Sequence, residues 1–346
     1  MKRKLSPLVW ALALLPACAR TAPESQWPPP GPSSLPFIPL PEEGFADSDA
    51  EGASSAEPAP EPAGPSSIDG KLPDAPPTAL ARSHQCAQKV CALGKLLPDV
   101  AFAKGTPSGG DAPGALWLED VAAGSSVTLP RDHRVEVLGV LLSGDAVVRG
   151  DEGSPALKLG RWSAFRAPGA GLVLEAGSEG AKLVLGVAVA NGTLADAMAD
   201  LEKKAWEVRW KKRPSPLAQV SLADAKDLAW GGGAYHVRLA FGDATPIPGS
   251  LGTLSMSPDG GVKEHSHDSW EHIAILEGAG SMNVEGKGYE VKAGSVFDLA
   301  PGEKHSFTPA KTAPLLAVQM YTPSGAEQRF VKLAEAAAKA AETPKK

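Results

Sequence analysis

Short apolar runs, separated by glycine, proline and acidic residues, set the pattern of the second half of this 346-residue chain. They fall at residues 251–256, 272–276, 281–284, 295–299 and 315–321. Runs this short, bounded by turn formers, predict strands rather than helices, and their repetition predicts a sandwich or barrel. A second set occupies residues 115–190, with runs at 126–129, 135–142, 146–149 and 182–190. Two stretches instead carry apolar residues at helical spacing. Residues 193–212 place Leu194, Met198, Leu201, Ala205 and Trp206 on one side, and residues 328–341 are rich in alanine and lysine. The first helix is expected to bridge the two β-rich halves and cover part of an outer face, and the second to close the chain.

The polar positions inside this pattern carry the chemistry. The run His265-Ser266-His267-Asp268-Ser269-Trp270-Glu271 spaces two imidazoles and a carboxylate at even intervals. On an extended strand even offsets share a face, so all three converge, and the Pro301-Gly302 turn can deliver His305 to the same place. Three ring nitrogens and one carboxylate oxygen suit one divalent transition metal: Fe, Mn, Zn, Ni or Cu. Only seven histidines occur in the chain, so three of them falling with one glutamate is informative. Ile273 and Ile275 share the inward parity and would give the cavity an apolar wall. Trp270 and His272 have the opposite parity and are expected to point outward, His272 into surface or interface packing. His84, His133 and His236 stand alone and read as structural. Arg238, Gln319 and Tyr321 lie on barrel strands and are the candidates for substrate contact or acid–base work.

These residues also carry a resemblance. His265-x-His267-x3-Glu271-x6-Gly278 resembles the first motif of the cupin superfamily, and Gly294-x5-Ala300-Pro301-Gly302-x2-His305 resembles its second. Ala300 stands where proline is usual, and Pro309 replaces a frequent asparagine. All four usual ligand positions are filled, so the resemblance implies a small jelly-roll β-barrel holding a metal at His265, His267, Glu271 and His305. In the first half, residues 137–144 resemble 271–278, and Ala167-Pro168-Gly169 resembles Ala300-Pro301-Gly302. In that register Arg131 and Val137 fall where His265 and Glu271 stand, His133 alone matches His267, and no histidine follows Pro168-Gly169. The resemblance therefore implies a bicupin whose first barrel has no metal site. The expected fold is all-β: two jelly-roll (cupin) barrels with a connecting helix and a C-terminal helix, preceded by a disordered tether.

The N-terminal region bears on location. Met1-Lys2-Arg3-Lys4 followed by an apolar stretch over residues 8–17 has the build of a secretory signal peptide. It ends Leu15-Pro16-Ala17-Cys18, which resembles the lipobox of bacterial lipoproteins and implies acylation of Cys18; Ala17-Cys18-Ala19 also reads as an ordinary secretory cleavage site. Residues 19–79 are rich in Pro, Ala, Ser, Gly and Glu, too poor in apolar residues to form a core, and read as a disordered tether. The resulting division is 1–17 signal peptide, 18–80 anchor and linker, 81–212 degenerate barrel with its helix, and 213–346 metal-binding barrel with its helix. Cys86 and Cys91 could close a small disulfide loop in an oxidising compartment or stand as two free thiols. A metal site from His84, Cys86 and Cys91 lacks a fourth ligand.

Formal net charge is -6, with no basic stripe interleaved with aromatics, which excludes nucleic acid as a partner class. Gly231-Gly232-Gly233 lacks the lysine and helix of a phosphate loop, and no nucleophile elbow occurs. The partners expected are a small-molecule ligand or substrate and a membrane reached through a lipid, with room for a homodimer. The location expected is the bacterial cell envelope, facing the periplasm or the cell surface, or else soluble in the periplasm or secreted. Two functions fit: a metalloenzyme acting on a small molecule, or a metal-dependent module that binds or senses one, such as a sugar. A third use of the metal is only to brace the barrel.

Overall fold

A computed structural model describes residues 68–74, 84–86, 90–92, 112–129, 134–150, 155–168, 172–190, 192–197, 217–242 and 248–342. All belong to one compact unit, Pro60–Lys346. The Cys18 anchor, Arg131, His133 and most of the 193–212 helix lie outside the described residues; of that helix, residues 194–197 are described and are helical.

The fold is almost wholly antiparallel β. The first half forms one nine-stranded sheet from β1 (His84–Cys86), β2 (Val90–Ala92), β3 (Gly114–Val121), β4 (Ser126–Leu129), β5 (Val135–Arg149), β6 (Leu157–Leu159), β7 (Ser163–Pro168), β8 (Leu172–Val189) and β9 (Ala218–Ser221). The runs expected as two strands at 135–142 and 146–149 are one strand, β5, which bends instead of stopping at Ser143-Gly144. Its register with β8 shifts on both sides of Gly144, where φ is +77° and a Cβ would lie 2.0 Å from the Gly180 carbonyl oxygen. Only glycine permits that crossing. β1 and β2, which carry Cys86 and Cys91, pair in parallel with β3 and β4 respectively; their side chains lie outside the described set.

The second half is a jelly-roll sandwich. One sheet has the order β10 (Asp227–Trp230), β11 (Tyr235–Phe241), β12 (Ser250–Met256), β19 (Leu315–Thr322), β14 (Trp270–Glu277) and β17 (Val296–Leu299). The other has the order β13 (Val262–His265), β18 (His305–Pro309), β15 (Ala279–Val284) and β16 (Lys287–Lys292). Between them lies an apolar core including Leu254, Ile273, Ile275, Met282 and Phe307. A C-terminal helix, α1 (Gln328–Glu342), seats Phe330 against Trp230, with ring centroids 5.6 Å apart. The order β3-β8-β5-β7 in the first sheet parallels β12-β19-β14-β17 in the second.

Apolar residues on alternate faces of the same strands serve different cores. In β3, Ala115 and Trp117 face the interior of the first barrel, while Leu116 and Leu118 face out. In β19, Leu315 and Ala317 face the second interior, while Leu316, Val318 and Met320 face out. The outward sets meet in a third core, including Leu138, Val140, Val184, Ala274 and Leu276, which joins the barrels sheet to sheet. Strands buried on both faces lose polar alternation, which is why 182–189 and 315–321 read as continuous apolar runs.

Residues 68–74, assigned by composition to the tether, lie along the folded unit. His236 Nε2 is 3.0 Å from the Ile68 carbonyl oxygen, Arg238 Nε donates to Gly70 at 3.4 Å, and Trp162 Nε1 donates to Pro73 at 3.1 Å. Side chains of both barrels hold this segment by hydrogen bonds, and Leu72 packs against the core between the barrels, so composition does not reveal it.

In the first barrel Glu119 is fully buried and accepts a hydrogen bond from Trp117 Nε1 at 2.9 Å. Burial raises its carboxyl to about 7, against the lowering effect of Trp117 and with a smaller push from Asp120. A carboxyl raised on folding keeps its proton in the native state while the unfolded chain loses it, so stability declines as pH rises from about 4.5 to about 7. Glu119→Gln removes that decline, on the order of 3 kcal/mol across the window. Urea midpoints at both ends of the range measure it, and parallel pH slopes for the two proteins would contradict it.

Candidate metal centre

His265 ends β13 and His305 begins β18, and the two residues are direct cross-strand partners. Cross-strand partners project to one face, and the ring centroids are 4.3 Å apart. His267 is not on a strand. It sits in the connection between β13 and β14, where its carbonyl accepts a hydrogen bond from Gly302 N at 2.9 Å. The Pro301-Gly302 turn thus braces the loop that carries His267 as well as leading into His305. Convergence comes from three separate backbone segments, not from the parity of one extended strand.

The ligating atoms of His265, His267 and His305 lie within 4.8 Å of one another. Each Nδ1 faces a backbone carbonyl: His265 that of Lys263 at 3.0 Å, His267 that of Ser269 at 2.6 Å, and His305 that of Glu303 at 2.9 Å. A carbonyl can only accept, so each Nδ1 carries a hydrogen and each Nε2 is left to face the centre. Glu271 Oε2 lies 2.9 Å from His267 Nε2 and 3.3 Å from His305 Nε2. These are the separations expected of neighbouring ligands at about 2.1 Å from one ion. His265 Nε2 and His305 Nε2 are buried with no hydrogen-bond partner. Two orphaned lone pairs, and a third nitrogen held against a carboxylate, call for a cation between them; the residues fit a metal ion.

The electrostatics agree. Burial pushes His265 down to about 4, assisted by the charges of Arg329 and His305, so its ring stays neutral. Burial alone would raise Glu271, but His267, His305 and Arg329 outweigh it and hold the carboxyl well below its ordinary range. Burial alone would lower His305; the Glu271 carboxylate beside it raises it instead.

Gln319 and Tyr321 both reach the site, but from behind Glu271. Gln319 Nε2 donates to Glu271 Oε1 at 3.0 Å, and the Tyr321 hydroxyl donates to the same oxygen at 2.7 Å. They fix the carboxylate with Oε2 turned toward the imidazoles. Burial, and then the charge of Glu271, push the Tyr321 phenol well above its ordinary range, so it stays a donor. Arg238 is elsewhere, on the opposite face of β11 from the core residue Val237. Its guanidinium donates to the carbonyls of Ala223 at 3.1 Å and Ala225 at 3.0 Å. Parity along β11 separates it from the cavity, and it braces a loop.

His272, next to Glu271, is completely buried and faces the first barrel. Its Nδ1 lies 2.5 Å from Asp298 Oδ1 and its Nε2 2.9 Å from Thr322 Oγ1. Outward from one barrel is here inward to the joint between two. Arg329, on the first turn of α1, acts on the site and was not singled out by its sequence context. Its charge reaches His265, Glu271, His305 and Tyr321. A lone arginine on an alanine- and lysine-rich helix carries no signal of this in sequence.

Residues 247–336 match the family model of the AraC-like ligand binding domain. Solved structures similar to the chain include an oxalate decarboxylase, 15% identical, covering 62% of this chain and 70% of that one with a TM-score of 0.45. Protein Ylba from E. coli is 12% identical over 62% of this chain and 84% of its own, with a TM-score of 0.39. A glyoxylate-induced protein from Pseudomonas aeruginosa is 11% identical over 60% and 79%, with a TM-score of 0.42. No curated protein matches the chain in sequence. The second barrel is a jelly-roll sandwich with a three-histidine cluster inside it. Among the described residues no helix is long and apolar enough to cross a membrane.

Proposed function

We propose that this chain is an exported bicupin whose second barrel holds one divalent transition metal through His265, His267, Glu271 and His305 and binds a small molecule there. The observation that carries the reading is the set of three clustered imidazoles, each with Nδ1 engaged by a carbonyl, with the Nε2 atoms of His267 and His305 beside Glu271 Oε2. When bound, the metal supplies a Lewis-acid centre that attracts oxygen donors. Gln319 and Tyr321 orient Glu271, and the Ser269, Lys263 and Glu303 carbonyls orient the rings. The match of residues 247–336 to a ligand-binding family supports binding as the task.

Binding is favoured over chemistry because the candidate acid–base groups are otherwise engaged: Tyr321 and Gln319 on Glu271, Arg238 on backbone carbonyls. A metal-centred reaction is the second reading, favoured by a ligand set of four, which leaves an octahedral ion two positions for substrate. The shared strand order of the two sheets supports the bicupin reading, and Val137, buried and apolar at the place of Glu271, supports a first barrel without metal. The basic, apolar and Cys18-terminated start supports export to the cell envelope on a lipid anchor.

Elemental analysis and fatty-acid labelling of the full-length chain, isolated from bacterial envelopes without chelators, test both parts. About one equivalent of metal per chain is expected, with label that disappears in Cys18→Ser. No metal even after reconstitution sinks the metal reading. Undiminished labelling of the serine variant sinks the anchor.

A further inference from the structure

Residues 68–74 form one wall of a cavity on the outer face of the second barrel. Its volume is about 280 Å³, near the lower end of the roughly 300–1,000 Å³ of small-molecule sites. Ile68, Gly70 and Pro73 line it on one side, and Ser255, Leu316 and Glu277 on the other. No residue of the imidazole cluster lines it.

Three neighbouring strands build the barrel side. Ser255 on β12 pairs with Leu316 on β19, which pairs with Glu277 on β14. The register of β14 shifts between Ile275 and Glu277. Without that bulge Glu277 would share the inward parity of Ile273 and Ile275; with it, Glu277 turns to the outer face that Leu316 shares. Strands about 4.8 Å apart set Ser255 and Glu277 roughly 10 Å from each other, with Leu316 between them.

The polar groups of this cavity are unsatisfied. Among the described residues neither the Glu277 carboxylate nor the Ser255 hydroxyl has a hydrogen-bond partner, and no cation pairs with Glu277. Burial raises the Glu277 carboxyl, with no neighbouring charge to oppose it, and a bound cation would offset that penalty. At the rim, well-exposed Lys71 and Asp69 lie 3.8 Å apart and cancel each other's charge. What remains is one carboxylate, one hydroxyl and an apolar surface of Leu315, Leu316 and Pro73. That combination suits an ammonium group on a short hydrocarbon: the charge meets Glu277 and the chain leaves water.

We propose that this cavity is a second ligand site, separate from the metal centre, for a small primary amine whose ammonium pairs with Glu277 and whose apolar body lies on Leu316 against residues 68–74. It does not depend on the metal. Because residues 68–74 supply one wall, amine binding and the docking of that segment favour each other by the same factor. Gly70 is the sensitive point of the wall: its φ is +63°, and a Cβ would lie 2.2 Å from His236 Nδ1.

The test is calorimetric titration of the full-length chain with n-butylammonium, butan-1-ol and butyrate, alongside Glu277→Gln and Gly70→Ala. Butylammonium should bind, and the neutral and anionic analogues should bind more weakly by roughly ten-fold or more. Glu277→Gln should weaken butylammonium binding roughly ten- to hundred-fold with metal content unchanged. Gly70→Ala should weaken it as well, by displacing the wall while both barrels stay folded. No butylammonium binding, or binding undiminished in Glu277→Gln, overturns the proposal. Butanol or butyrate binding as tightly as butylammonium overturns the choice of a cation. Loss in Glu277→Gln with full binding in Gly70→Ala upholds the amine site and overturns the part given to residues 68–74.

Discussion

His265→Ala and His305→Ala each strip the chain of most of its metal while leaving the β-sheet signal of the barrel unchanged. Each substitution removes one inward Nε2 from a site of four donors. Loss of a supporting hydrogen bond behind a ligand costs about 10–100-fold in metal affinity, and loss of the ligand itself costs more. The fold should tolerate both changes. His265 is at the end of a short strand and partly exposed, and truncation deletes a buried nitrogen that has no hydrogen-bond partner. Tyr321→Phe is the graded control: it removes only the donor to Glu271 Oε1 and should weaken metal binding less than either alanine variant. Elemental analysis after dialysis against a weak chelator gives the ranking. Full metal content in both histidine variants would mean that the cluster is not the site.

His272→Ala should do the opposite, costing stability and sparing the metal. The ring is completely buried between the barrels, bridging Asp298 on β17 and Thr322 on β19. Truncation opens a cavity and removes both hydrogen bonds in a site that water does not reach, a loss of roughly 2–5 kcal/mol. Neighbouring Gly114 shows how closely the barrels approach there: a Cβ on it would lie 2.9 Å from Thr322 Cγ2 and 3.3 Å from His272 Nε2. Urea unfolding measures the loss, and metal content of the folded variant should equal that of the parent. A folded His272→Ala protein that has lost its metal would show that residues 271 and 272 do not serve opposite faces.

These two histidine experiments separate what local pattern carries from what it does not. Apolar runs between turn residues gave five strands of the second barrel, β12, β14, β15, β17 and β19, to within two residues, because each run is a segment that must be extended and buried. The break expected at Ser143-Gly144 is a bend inside one strand, because the glycine that stops most strands here allows two backbones to cross. The placement of Arg238 depended on which face of β11 meets the cavity, and a strand with both faces covered does not declare that by its composition. Residues 68–74 were invisible for a related reason: their partners, hydrogen-bonding groups and the core that Leu72 meets, lie far along the chain.

By itself the sequence determined five of the second barrel's extended segments, the C-terminal helix and the spacing that brings His265, His267, Glu271 and His305 together, all of which depend on neighbours close in the chain or on turn residues between them. Only the tertiary structure decided that His267 faces the cluster from a loop, that Tyr321 and Gln319 stand behind Glu271, and that His272 belongs to the joint between barrels. The physical reason is that alternation records burial on one face of one strand. Where two sheets pack together, or a helix returns to a barrel, the partner is chosen by packing between distant segments, and no local period encodes it.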